Sequence, residues 1–123
     1  MKHILVVEDE PEIRANLQEL LQGEGYGVTV AADGAEALHQ LGVADPLPDL
    51  ILLDYQLPVM DAAAFRAAQE EDARLSPVPV FLLTADDYPE VKRIKIGARA
   101  YMKKPFDVTK LLAAIEACLR DYK

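Results

Sequence analysis

Leu50-Ile51-Leu52-Leu53-Asp54 runs four apolar residues into a carboxylate, and three further stretches of the chain follow the same grammar. Ile4-Leu5-Val6-Val7 ends in Glu8-Asp9, Val80-Phe81-Leu82-Leu83 ends in Thr84, and Tyr101-Met102 leads through Lys103 to Lys104-Pro105. Continuous apolar runs of this length read as strands buried on both faces, the pattern of parallel sheets. In open parallel sheets, functional groups collect beyond the carboxyl ends of the strands. Glu8, Asp9, Asp54, Thr84 and Lys104 are therefore expected on one rim.

Working outward from these runs, the intervening segments carry helical spacing. Pro11 suits a first helical turn, with Ile13, Leu17, Leu20 and Leu21 on one face, and Gly23, Gly25 and Gly27 then turn the chain. A second strand, Val28-Thr29-Val30, leads to Asp33-Gly34 and a helix with Leu38 and Leu41 inward. Asp61 is placed to cap a helix that buries Phe65 and Ala68. Asp87 with Glu90 three residues on reads as a capping box, ahead of a helix with Val91 and Ile94 inward and Gly97 at its end. The last helix follows Asp107, with Val108, Leu111, Leu112, Ile115 and Leu119 spaced by three and four. Alternation of this kind, with short connections, predicts an α/β fold: a five-stranded, doubly wound parallel sheet with helices on both faces.

The chain's 123 residues suit one domain, 1–123, in which function sits on the domain itself. No stretch approaches the ~18 apolar residues that span a bilayer, and Met1-Lys2-His3 opens no secretory signal. A single Cys118 leaves no internal disulfide and fits a reducing, cytoplasmic setting. It reads as a packing residue beside Leu119, and His3 and His39 as surface or edge residues. A formal charge of −8 opposes direct nucleic-acid contact, which depends on phosphate neutralisation by Lys and Arg.

Each motif alone has an ordinary explanation: acids at a helix start, a turn residue after a strand, a strand threonine, a surface lysine. Their joint order is what carries information. The chain resembles the receiver domain of bacterial two-component response regulators, of the chemotaxis-regulator kind. The resemblance rests on Ile4 to Asp9, Asp33-Gly34-Ala35-Glu36-Ala37-Leu38, Asp49 to Asp54 with Leu57-Pro58 and Met60-Asp61, Leu83-Thr84-Ala85, and Gly97-Ala98 through Tyr101 to Lys104-Pro105-Phe106.

That resemblance implies strand order 2-1-3-4-5. It implies Asp54 as phosphoacceptor, Asp9 as metal ligand, Glu8 as second acid, and the backbone carbonyl of Gln56 as a further Mg²⁺ ligand. Thr84 and Tyr101 become a switch pair, and Lys104, aimed by a cis bond to Pro105, a phosphoryl partner. The chemistry suits these types: Mg²⁺ relieves repulsion among carboxylates, and an ionised Asp54 attacks phosphorus while cations stabilise charge on the transferring group. No turnover enzyme is implied beyond self-phosphorylation and dephosphorylation. The expected partners are a histidine kinase or phosphotransfer protein, and a downstream protein read by the fourth helix, fifth strand and fifth helix. Lys92, Lys95, Arg99 and Lys103 would make that face basic. Two departures stand out: Ala62 follows Asp61 where the family has Gly, and Arg99-Ala100 replaces two acids common in winged-helix transcription factors.

Two other readings compete. The chain would equally suit the excised front of a longer transcription factor or output enzyme. A metal-dependent phosphatase would need an acid two residues after Asp9, where Pro11 stands, and a flavin module would not present Glu8, Asp9 and Glu10 to a phosphate.

Overall fold

The computed structural model describes residues 1–121. In chain order the elements are β1 (His3–Val7), α1 (Pro11–Gly23), β2 (Gly27–Ala31), α2 (Gly34–Val43), β3 (Leu50–Asp54), α3 (Ala62–Glu71), β4 (Val80–Thr84), α4 (Pro89–Ile96), β5 (Ala100–Lys103) and α5 (Val108–Asp121). The strands form one parallel sheet in the order β2-β1-β3-β4-β5. β1 lies beside β3, so the winding direction reverses there and opens a crevice beyond their carboxyl ends. This is the fold expected from the strand–helix alternation and the strand order that the resemblance implied.

Alternate residues of each strand face opposite sides of the sheet, and two cores result. Leu5, Val7, Ile51, Leu53 and Leu82 pack under α2, α3 and α4, through Leu41, Phe65 and Ile96 among others. Ile4, Val6, Leu52, Phe81 and Leu83 pack under α1 and α5, against Leu17, Leu21, Leu111 and Ile115. Cys118 and Leu119 join this second core as read from sequence. Among the described residues no helix is long and apolar enough to cross a membrane.

Several local expectations are corrected. Val91 and Ile94 do not face inward: they are 59% and 64% exposed, and Ile96 is the buried residue of α4. At about 100° per residue, Val91 and Ile94 share a stripe that Ile96 cannot join. A helix of eight residues attached through its last turn leaves that stripe in water. The Asp87–Glu90 box does not form either. Tyr88 precedes Pro89, and proline bars its neighbour from helical geometry, so Tyr88 (φ −124, ψ 65) is itself the cap and α4 begins at Pro89. A related cap sits instead on α2, where Asp33 Oδ1 accepts from Glu36 N at 2.8 Å and Glu36 Oε1 accepts from Ala32 N, the residue before the cap, at 2.7 Å.

On α3 the buried residue after Phe65 is Gln69, not Ala68, which is only half-buried. The Gln69 amide nitrogen donates to the carbonyls of Leu75 and Val78, both at 3.0 Å, which satisfies backbone on the way into β4. Val108 is exposed because it opens α5 beyond the sheet, whereas Leu111 and Ile115 are fully buried.

Candidate functional site

At the carboxyl rim the sheet register brings Val7, Leu53 and Leu82 side by side, so the residues that follow each strand meet across the crevice. Glu8 Oε and Asp54 Oδ come together although 46 residues separate them. One carboxylate oxygen from each of Glu8, Asp9 and Asp54 lies within 4.8 Å of the others. Glu8 is 1% exposed and Asp54 5%, while Asp9 opens to solvent. Lys104, beyond β5, spans the pair: its Nζ donates to Glu8 Oε1 at 2.8 Å and to Asp54 Oδ2 at 3.2 Å. The Lys104–Pro105 bond is cis, as the resemblance implied.

Three acids around one ammonium leave the cluster short of positive charge. Burial and the neighbouring Glu8 carboxylate push the Asp54 carboxyl up to about 7, against the opposing pull of Lys104. For Glu8, burial also opposes ionisation, but the Lys104 ammonium and the Glu10 amide outweigh it and hold its carboxyl below the ordinary value. Burial disfavours the Lys104 ammonium in turn, yet its hydrogen bond to Glu8 and the Asp54 charge raise it above a usual lysine. Hard carboxylate oxygens without sulfur or imidazole are the donor set of Mg²⁺, so the residues present fit that ion.

Thr84 ends β4, is buried, and its hydroxyl accepts from Asp86 N at 3.1 Å. Tyr101 sits on the edge strand opposite Leu82, 36% exposed. The Gln56 amide donates to Asp54 Oδ1 at 3.3 Å, which pins the turn after the acid. The expected basic face is mixed: Lys103 pairs with Asp87 at 3.5 Å and Arg93 with Glu90 at 2.6 Å, while Lys92 turns toward Tyr55.

Arg14 was not foreseen. Its guanidinium donates to the carbonyls of Glu8 at 3.0 Å and Asp9 at 3.3 Å, tying the acid pair to α1. A cation one turn into the helix after an acidic pair is the signal that marks it.

The loop after Asp54 stores strain. Val59 holds φ 67 with a branched side chain that is 85% exposed, a conformation that L-residues with branched Cβ avoid. Val59→Gly should raise stability by about 1 kcal/mol, since glycine adopts this geometry freely. A lower urea midpoint in the variant would show that the valine side chain contributes more than the strain costs.

A family model for the response regulator receiver domain matches residues 4–116. The transcriptional regulatory protein YkoG of Bacillus subtilis, itself uncharacterized, is 43% identical over 121 residues, which make up 96% of this chain and 51% of that protein. The chain spans about half the length of the curated relatives it matches. Among solved structures, the signal receiver domain of a histidine kinase from Syntrophus aciditrophicus superposes with a TM-score of 0.89 at 30% identity, covering 100% of this chain and 93% of that one. The receiver domain of the sensor histidine kinase PA1611 of Pseudomonas aeruginosa, solved with magnesium in its active site cleft, gives 0.87 at 28% identity, covering 98% of each chain. Fold, strand order and the length of the family match agree, and the chain belongs to the response regulator receiver domain family.

Proposed function

We propose that this domain is a phosphorylation switch in which Asp54 accepts a phosphoryl group and the α4–β5–α5 face reports the event to a protein partner. The observation that carries the reading is three carboxylate oxygens within 4.8 Å of one another with the Lys104 ammonium on two of those acids. An Asp54 oxygen attacks phosphorus, the bond to the donor breaks, and the donor departs with the electron pair. Lys104 then follows the negative charge from the Asp54 carboxylate onto the phosphoryl oxygens. Mg²⁺, held by Asp9, Asp54 and the Gln56 carbonyl with Glu8 behind them, would supply charge neutralisation at those oxygens. The magnesium in the active site cleft of the related PA1611 receiver supports Mg²⁺ as the ion.

The donor is a histidine kinase or phosphotransfer protein, and the domain turns over no other substrate. Thr84 and Tyr101 form the switch: the Thr84 hydroxyl reaches a phosphoryl oxygen by drawing its loop toward Asp54, and Tyr101 fills the space released. Exposed Tyr88, Val91, Ile94 and Tyr101 suit an apolar or amphipathic partner surface rather than nucleic acid. The full length of YkoG favours a second reading, in which the domain is the receiver part of a longer transcriptional regulator.

The test is Mg²⁺-dependent labelling by acetyl phosphate. Asp9→Ala should raise the Mg²⁺ concentration for half-maximal labelling at least tenfold, because it removes a ligand in direct contact with the ion. Equal Mg²⁺ requirements in wild type and Asp9→Ala would remove Asp9 from the site.

A further inference from the structure

Lys92 was read as part of a basic outer face, but its side chain does something else. Its Nζ lies 5.2 Å from the centroid of the Tyr55 ring and 3.9 Å from Asp86 Oδ2. Both distances fall within the range of a cation over an aromatic face and of an ion pair. Each partner adjoins a residue of the site. Tyr55 directly follows Asp54, and its own amide donates to Leu83 O at 2.8 Å, fixing it to β4. Asp86 donates its amide to the Thr84 hydroxyl at 3.1 Å, and its carboxylate accepts from Tyr88 N at 2.9 Å at the start of α4.

We propose that Lys92 is a positioning residue that joins the loop after Asp54, the loop after Thr84 and the first turns of α4 into one moving unit. It rests on the reading of Asp54 as phosphoacceptor and goes beyond the Thr84–Tyr101 pair. The need for such a tie follows from α4 itself. Its N-terminal cap makes no side-chain hydrogen bond, and its one buried side chain, Ile96, lies at the far end. The Asp86–Tyr88 hydrogen bond reaches only the residue before the helix, so a shift of Thr84 and Asp86 passes into the body of α4 through Lys92. Lys92 supplies the attachment at the near end, in the first turns of the helix, three residues after Pro89. A ligand moves a two-state element only through contacts that differ between its states, and the Asp86–Lys92–Tyr55 contact changes whenever the Thr84 loop closes on Asp54.

The experiment compares wild type, Lys92→Met and Lys92→Arg with Mg²⁺ and beryllofluoride, a phosphoryl mimic, by amide chemical shifts. In Lys92→Met the shifts at Thr84 and Ala85 should persist, while those across residues 89–96 fall by at least half. Lys92→Arg should restore them, since a guanidinium both stacks on an aromatic ring and pairs with a carboxylate. A full α4 response in Lys92→Met, or equal losses in the Met and Arg variants, would overturn the proposal. Acetyl phosphate labelling is measured on the same proteins and should stay within about twofold of wild type. The two readings fail separately: unlabelled wild type counts against Asp54, and a labelled Lys92→Met with an intact α4 response counts against Lys92.

Discussion

Asp54→Asn should abolish the mass increase that acetyl phosphate and Mg²⁺ produce in the wild type, and should make the metal-free protein more stable at pH 8. The first effect follows, on the proposed reading of Asp54 as phosphoacceptor, from loss of the carboxylate that Lys104 and the flanking acids surround. The second follows from linkage. Asp54 has its carboxyl pushed up to about 7 by burial and by Glu8, so the folded state holds a proton that the unfolded state releases near the ordinary carboxylate value. The stability contributed by that proton is complete below the unfolded value and is lost as pH rises through about 7. Asparagine does not titrate. Its advantage should therefore be about 2–4 kcal/mol at pH 8 and vanish toward pH 4. Mg²⁺ should shrink the difference, because a cation among the carboxylates favours the ionised form. Labelling of the variant at the wild-type rate would place the phosphoacceptor elsewhere, and a pH-independent stability difference would contradict the electrostatic account.

Gly34→Ala should lower the melting temperature by roughly 5–10 °C, a loss of about 2 kcal/mol. In an exposed helix the same change would stabilise, since alanine is the better helix former. Here the first residue of α2 abuts the loop that follows Asp54: a Cβ on Gly34 would lie 2.0 Å from the Met60 carbonyl oxygen and 2.9 Å from its carbon. Those atoms are backbone and cannot swing aside, so the loop bearing Gln56 must shift. Mg²⁺ affinity should fall with stability. An alanine variant as stable as wild type in urea would show that the loop yields without cost.

Much of this architecture was legible in the residues. Buried parallel strands announce themselves as unbroken apolar runs, and the polar residue ending each run marked the rim, so Glu8, Asp9, Asp54 and Lys104 were found where the sheet gathers them. Legibility failed where a short helix meets the sheet at one point. The spacing of Val91 and Ile94 is helical, but periodicity does not say which stripe turns inward, and only the attachment through Ile96 decides it. Capping was misplaced because Pro89 overrides the Asp87–Glu90 signal through the residue before it. Gln69 escaped notice because its partners, the carbonyls of Leu75 and Val78, exist only once the chain has folded back toward β4. Lys92 was visible as a cation, but its direction depends on Tyr55, a residue 37 positions earlier in the loop after β3.

The outward stripe of α4 also separates what can vary from what cannot. Tyr88, Val91 and Ile94 contribute to neither core, whereas nearly every residue of β1, β3 and β4 belongs to one of them. A designer, or natural variation, can rewrite the outer stripe of α4 without disturbing the chemistry at Asp54 or the sheet beneath it. On the proposed reading, recognition by a partner and competence for reaction are carried by separate residues. A new signalling pairing needs a handful of surface exchanges rather than a new fold.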